Sequence, residues 1–424
     1  MESLRMVSAR SLVCVLVLVA TGCTTPPDPY KSFYGGQLAA AETILRTQVA
    51  AADDANRTLL RLELASVLQA RGNFSEAAQL LVSADNKLEV LDYTSAPVDD
   101  VVGFAFAVES DWRPSPPERT MVNVQNMLNF LGAGELDSAA VEARRLAVLL
   151  TQPDVDEDDI YMNDFGWGLA GVILAASGDK GEAEDAFAAA PENEALRPGA
   201  DLGGKGTLLV VAQLGQAPVR RQATYYLTGH DGQPHPLNLP AMQARSAGAS
   251  AATVALDGSP MGEIPIQLNL EEQLMSRFDD ELALLVTAAA LQAGIRSELI
   301  KEGVGDHDGK WGKASRAVGE FFLASVQEAD ERCWSLLAGR YGAMRLDVEP
   351  GPHTVSVSLA GGGAPLEFTV DVVAGQLSLV NVVSGPSDGY RDYGELKGGT
   401  YSGDRAEDVL RFMENASLVS SPRP

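Results

Sequence analysis

One residue near the start of the chain stands in a pattern that would make its side chain a reaction site. Two arginines precede the apolar run 11–19, which is too short to cross a bilayer as a helix, and the small residues of 20–22 lead into Cys23. Small residues give a signal peptidase access to the backbone, and the Cys23 thiol is a nucleophile that can accept a diacylglycerol group. The pattern predicts a lipoprotein signal peptide over 1–22 and lipidation of Cys23. The alternative is an ordinary signal peptide with a cysteine by chance.

Charge and cysteine content limit what the rest of the chain can do. The formal net charge is -26, and no run of Lys or Arg offers a basic patch, so we expect no binding to nucleic acid and membrane attachment only through lipid on Cys23. Thr24 rather than Asp follows Cys23, so nothing marks retention in the inner membrane. We therefore expect a protein anchored by lipid in the outer membrane and facing the periplasm. Cys333 has no partner for a disulfide and is expected to be a small buried residue.

Three other patterns resemble ligand sites but fail on context. Residues 199–205 match the start of a phosphate-binding loop, yet a helical stretch precedes them, a strand follows, and Gly206 stands where Ser or Thr would hold magnesium. The acidic cluster 154–159 lacks the glycine and the closing glutamate of a calcium-binding loop. The four histidines are dispersed, without the spacing of a zinc site. The sequence predicts neither a cofactor nor a metal.

Residues 37–198 have helical periodicity and contain an internal repeat. Gly72, Gly134 and Gly178 each follow an apolar helical stretch and precede another, with a small residue five positions later. Each glycine is expected to end a helix in the left-handed conformation, and the small residue lets the next helix pack closely. The pattern is similar to the tetratricopeptide turn, although the spacing is longer than the roughly 34 residues of that repeat. A plain helical bundle is an equally weighted alternative.

The second half of the chain alternates strands and helices. Strands are predicted at Leu208–Ala212 and Val219–Leu227 around a turn, and at Ala252–Leu256 before the turn Asp257-Gly258. Helices are predicted over 270–302 and 313–337. Four further strand candidates then follow, at 344–348, 354–359, 366–373 and 377–383.

These predictions divide the chain as an α+β multidomain protein. The predicted parts are a signal peptide (1–22), a lipidated tether (23–36), a helical-repeat domain (37–198), a mixed strand and helix region (199–338), a small antiparallel β-sandwich (339–385) and a polar C-terminal tail (386–424).

Several stretches together resemble a poorly characterised family of bacterial lipoproteins with tetratricopeptide-like repeats. The stretches are Pro117 to Arg119 with Asn123 and Asn126; Leu131, Gly134, Glu135 and Val141 to Arg145; Val210, Val211, Gly215 and Ala217 to Arg220; and Ala329 to Leu337. The last one is similar to the family's Ala-Asp-x-Arg-x-Trp-x-x-Leu-Pro segment, except that Ala338 replaces the proline. The resemblance implies a place in the cell envelope and a connection to envelope or peptidoglycan assembly, but no catalytic mechanism.

Charged residues within these stretches are candidates for an interaction site or for internal salt bridges, and the second interpretation is preferred. They are Glu118, Arg119, Glu142, Arg144, Arg145, Asp330 and Arg332. Trp334 is expected to end a helix and to fill the space between the helical and the β module.

The sequence therefore predicts a protein-interaction scaffold that is not an enzyme, with envelope proteins bound in a groove of the helical repeats. The alternative is a periplasmic hydrolase acting on an envelope polymer, because paired carboxylates could carry such chemistry, although no pair is singled out.

Overall fold

The protein is built from helices in its first half and mainly strands in its second half, which confirms the predicted α+β class. The structure is a computed structural model that describes residues 27–94, 111–151, 163–199, 203–228, 234–245, 248–278, 329–384 and 396–402. Cys23, the acidic cluster 154–159 and most of the predicted C-terminal tail lie outside these ranges. Among the residues that the structure describes, no helix combines the length and the apolar character needed to cross a membrane.

Eight helices in the first half of the described chain pack consecutively, each against its neighbours in sequence. They are α1 (Pro29–Tyr34), α2 (Leu38–Ala51), α3 (Asp54–Ala70), α4 (Phe74–Thr94), α5 (Pro116–Gly132), α6 (Leu136–Leu150), α7 (Asp164–Ser177) and α8 (Lys180–Ala189). A 3-10 turn, Glu194–Leu196, leads from α8 toward the strands.

The three turns predicted at glycines share one geometry. Gly72, Gly134 and Gly178 have φ values of 77°, 76° and 94°, which confirms the predicted left-handed conformation. At each turn the glycine N–H donates to the carbonyl three residues earlier, and the next N–H donates to the carbonyl five residues earlier, as in a Schellman motif. Gly36, between α1 and α2, forms the same pair of hydrogen bonds and has a φ of 75°. A β-branched side chain at these positions would strain the backbone.

Eleven described strands form three sheets. The central sheet has the order β10-β1-β7-β6, the outer sheet β5-β4-β8-β9, and the small sheet β11-β2-β3. The strands are β1 (Gly206–Leu214), β2 (Val219–Thr228), β3 (Pro234–Gln243), β4 (Ala252–Leu256), β5 (Ser259–Glu263), β6 (Ile266–Asn269), β7 (Arg340–Val348), β8 (Gly351–Leu359), β9 (Leu366–Val372), β10 (Leu377–Val383) and β11 (Leu396–Ser402).

Strand β1 is buried on both faces and joins the two hydrophobic cores. Its residues Leu209 and Val211 pack into the core shared with the helices. Leu208, Val210 and Ala212 point the other way, into a second core that contains Val355 and other residues of the outer sheet. Because successive side chains of a strand alternate between faces, the uninterrupted apolar run predicts this two-sided burial. The helices, the central sheet and the outer sheet therefore form successive layers.

The strands of the second half pair differently from the simplest prediction. β1 and β2, expected as neighbours around a turn, belong to different sheets. The strands of 339–385 do not form a separate sandwich, since β7 and β10 flank β1 in the central sheet and β8 pairs with β4 in the outer sheet. β10 runs parallel to β1, a pairing between distant segments that local alternation cannot indicate.

Four strands, β3, β5, β6 and β11, were not predicted from the sequence. β3 contains three prolines and is an edge strand of the small sheet. Proline is tolerated there because the outward side of an edge strand has no neighbouring strand that needs its N–H. β11 lies in the segment expected to be a polar tail, and it pairs in parallel with β2.

Two predicted boundaries also need correction. Residues 29–34, expected to belong to a tether, form α1, and its Phe33 and Tyr34 are buried in the main core. The predicted helix over 313–337 is wrong in its described part, because residues 329–337 form no helix. A helix does begin at residue 270, as predicted, and is described to residue 278.

Candidate functional site

The most elaborate polar site of the described structure surrounds residues 329–338, which we call the connector. The connector leads into β7 and passes along the helices α3 and α5. Three successive N–H groups, of Trp334, Ser335 and Leu336, donate to buried glutamates of these helices. Their engagement by side chains explains why the predicted helix is absent, since helical N–H groups donate to main-chain carbonyls instead.

Glu63 of α3 supplies two of the three acceptors. Its side chain has no solvent exposure, and its two carboxyl oxygens accept from the N–H groups of Ser335 at 2.7 Å and Leu336 at 3.0 Å. Burial raises the pKa of Glu63 to about 8, opposed by these two hydrogen bonds and by the charge of Arg245. The carboxyl group thus fixes the connector backbone from within the core.

Glu118 of α5 supplies the third acceptor. Its Oε1 accepts from the Trp334 N–H at 2.8 Å, and its Oε2 accepts from the N–H and the hydroxyl of Ser115 at 2.8 and 2.7 Å. The Ser115 contacts are typical of a helix N-terminus closed by a glutamate three residues later. One carboxylate therefore begins α5 and binds the connector.

Trp334 is buried, and its indole N–H donates to the Ser66 hydroxyl of α3 at 2.9 Å. It lies in the core shared by the helices and the central sheet, the kind of position expected for it from the sequence, but not at a helix end. Asp330 and Arg332 form a local ion pair, with Arg332 Nη2 2.8 Å from Asp330 Oδ2. Asp330 also accepts the Arg332 N–H, which turns the backbone just before Trp334.

Helix α1 closes the other side of the connector. The Tyr34 hydroxyl donates to the Ser335 carbonyl at 2.9 Å, and Arg245 Nη2 donates to the same oxygen. The Arg245 guanidinium also lies over the Tyr34 ring, 5.2 Å from its centroid, and its Nε donates to the Ala217 carbonyl. Both main-chain groups of Ser335 are thereby taken by side chains from other parts of the chain.

A ladder of amides continues this polar layer along β1. Gln213 of β1 donates to Gln69 of α3 at 2.9 Å and to Asn381 of β10 at 3.0 Å. Gln125 of α5 donates to Gln213 at 3.1 Å and to the Tyr341 hydroxyl at 3.0 Å. Buried amides that satisfy one another fix the register of the helices on the central sheet.

The remaining candidate residues form an internal salt-bridge lattice, the interpretation preferred from the sequence. Arg119 and Arg145 both bind Asp85 of α4, at 2.8 and 2.6 Å. Glu142, whose pKa is raised by burial, accepts from the Asn123 amide at 2.9 Å. The lattice links α4, α5 and α6.

Arg144 extends these contacts to the next hairpin. It binds Glu182 at 2.7 Å and also pairs with Asp179. The prediction that Glu118 would be a partner within this lattice is wrong, because Glu118 faces the connector.

The buried polar groups around the connector stabilise the fold and are not placed to react with a substrate. Glu63 and Glu118 are buried, and main-chain N–H groups occupy the oxygens that a general acid or base would present to a substrate. Cys333 is also buried, and burial raises the pKa of its thiol, the opposite of what an activated nucleophile needs. Across the described ranges, no group of three or more His, Cys, Asp or Glu side chains is placed to hold a metal ion.

Three residues of the site, Glu63, Asp85 and Arg245, were not predicted from the sequence. A signal for Glu63 exists, since helical spacing puts it on the same face as Leu59 and Ser66, where a carboxylate needs a partner. Nothing local points to Arg245, whose contacts come from distant segments.

Comparison with protein-family models, curated proteins and solved structures finds no match to this chain. The resemblance to a lipoprotein family therefore rests on the sequence motifs alone.

Proposed function

We propose that this protein is a lipoprotein, anchored in the outer membrane through Cys23 and facing the periplasm, that acts as a non-catalytic scaffold for envelope proteins. The observation that carries the non-catalytic role is that the buried Glu63 and Glu118 of α3 and α5 bind main-chain N–H groups of the connector, so their carboxyl oxygens are not open to a substrate. The motif resemblance adds envelope or peptidoglycan assembly as the setting.

We infer that the hairpins are a degenerate tetratricopeptide-like array. Four glycine turns with the same hydrogen bonds support this inference. So do the buried alanines at 77, 139 and 183, which lie five residues after the second, third and fourth turns.

We also infer that the central and outer sheets form a sandwich, because they share one apolar core. Their strands come from both 203–269 and 340–383.

The helical face expected to bind partners is occupied by the protein itself. Glu63, Gln69, Glu118 and Gln125 of α3 and α5 bind the connector and β1. A partner must therefore use the outer surface of the helices. Residues 37–198 on their own would expose an apolar face that the strands cover, so partner binding is tested on the full mature protein.

The anchor is tested by Cys23→Ser. We expect the processed wild-type protein to fractionate with membranes and to require detergent for release, because two or more acyl chains bind a bilayer stably. The Cys23→Ser protein should be soluble or remain unprocessed. A variant that is still cleaved and extracted only by detergent would contradict the lipid anchor.

Partner binding is tested by its salt dependence and by a pair of charge variants. Exposed charges are screened beyond roughly 10 Å at 0.1 M salt, so binding of a basic partner to an acidic surface should weaken several-fold as salt rises. Glu184 and Asp185 are exposed on α8, and Glu367 and Asp371 are exposed on β9 of the outer sheet. In capture from envelope extracts by the full mature protein, we expect E184Q/D185N to reduce recovery of the salt-sensitive partner and E367Q/D371N to leave it unchanged.

Equal losses in both variants would show that general charge, and not the helical surface, causes the binding. The hydrolase alternative makes a different prediction. If purified protein degrades peptidoglycan or another envelope polymer, a single carboxylate substitution abolishes that activity, and no partner is captured, the scaffold proposal is wrong.

A further inference from the structure

The folded body begins very close to the proposed lipid anchor. Asp28 is already fixed, because its side chain accepts the Tyr30 N–H at 2.8 Å and caps α1. Only five residue steps separate Cys23 from Asp28, and a fully extended chain of that length spans at most about 18 Å. The tether is thus much shorter than residues 23–36.

Helix α1 is held firmly on the body. Phe33 and Tyr34 are buried and meet edge to face, with ring centroids 5.1 Å apart. The Tyr34 hydroxyl binds the Ser335 carbonyl, and Arg245 lies over the Tyr34 ring. Detaching α1 would expose two aromatic side chains and break a partly buried hydrogen bond, so lengthening the tether by unwinding α1 costs free energy.

We propose that the surface around α1 lies against the lipid bilayer, with the outer sheet directed away from it. The proposal rests on the proposed lipidation of Cys23. A short chain fixed at one end by acyl groups and at the other by α1 restricts which face can approach the membrane.

Layer order gives the orientation. Phe33 and Tyr34 belong to the core between the helices and the central sheet, whereas Met261 lies on β5, an edge strand of the outer sheet on the other side of that central sheet. Stacked sheets lie about 10 Å apart, so the outer sheet lies one layer farther than the central sheet from α1, where the tether ends.

Charge selects the kind of membrane surface. With a formal net charge of -26, the protein is repelled by anionic headgroups, and Lys31 is the one basic residue of α1. The membrane that suits this protein is therefore a zwitterionic bilayer, to which only the acyl chains on Cys23 bind.

The test compares two labelled positions on the full, lipidated protein. Lys31 and Met261 are both exposed, so K31C and M261C accept a fluorescent label, while Cys333 is buried and Cys23 is blocked by lipid. The proteins are bound to phosphatidylcholine vesicles that carry a quencher on a fraction of the headgroups. We expect the label at position 31 to be quenched several-fold more than the label at position 261.

A linker variant is the matched control. Fifteen Gly and Ser residues inserted between Thr25 and Pro26 should leave α1 and lipidation intact and reduce quenching at position 31, because the flexible chain frees the body. Replacing part of the phosphatidylcholine with phosphatidylglycerol should not strengthen binding.

The outcomes separate the two proposals. If Cys23 carries no lipid, mass spectrometry shows no acyl groups and the protein does not bind the vesicles, so the proposed function fails first. If the protein is acylated and vesicle-bound but both labels are quenched equally, or the linker has no effect, the orientation is wrong.

Discussion

Replacing Trp334 with alanine is expected to lower the free energy of unfolding by about 3–5 kcal/mol. The side chain is 2% exposed, fills the core between helices and central sheet, and binds Ser66 through its indole N–H. Truncation removes that apolar area and leaves a cavity beside the connector. Chemical denaturation followed by far-ultraviolet circular dichroism measures the change without relying on the fluorescence of the removed indole.

Conservative variants separate packing from hydrogen bonding. Trp334→Phe retains an aromatic ring but loses the N–H, and Ser66→Ala removes the acceptor, so each should cost about 1–2 kcal/mol. Combining them should add little to the cost of Trp334→Phe alone, since both remove one bond. A Trp334→Ala protein as stable as wild type would show that the connector does not hold the layers together.

Features set by neighbouring residues were predictable from the sequence. The glycine turns need only a helix end and a left-handed residue, and Gly72, Gly134 and Gly178 adopt the expected conformation. The strands β4 and β10 agree with their predicted bounds, because apolar and β-branched residues mark them locally.

Features set by distant residues were not predictable in this way. The sequence predicted helix for 329–337, yet no helix forms there, because Glu63 and Glu118 lie more than 200 positions before the N–H groups they accept. The parallel pairing of β1 with β10 also joins distant segments, and the local sequence of neither strand indicates its partner. For the site, the sequence identified Glu118, Asp330, Arg332 and Trp334, but it favoured a salt bridge for Glu118, which binds main-chain N–H groups instead.

The contribution of the Glu63 carboxyl group to holding the connector can be tested by substitution. Glu63→Gln keeps the size of the side chain but places an NH₂ group against one of the two donors, Ser335 and Leu336. A buried donor without an acceptor costs about 1–3 kcal/mol, so the variant should be less stable than wild type by roughly that amount at pH 5.

The difference between Glu63→Gln and wild type should then shrink as the pH rises. Burial raises the pKa of Glu63 from 4.5 to about 8, so the folded protein keeps a proton that the unfolded chain releases. Its stabilising contribution is complete below pH 4.5 and is lost as pH rises toward 8, at up to about 1.4 kcal/mol per pH unit. Glutamine does not titrate, so unfolding measured from pH 5 to 8 should show wild type losing stability relative to Glu63→Gln. The control is Ser66→Ala, which removes a contact that does not titrate, so its free energy of unfolding should change with pH in parallel with that of wild type. If the difference in stability between Glu63→Gln and wild type stays constant with pH, Glu63 holds no extra proton in the folded state.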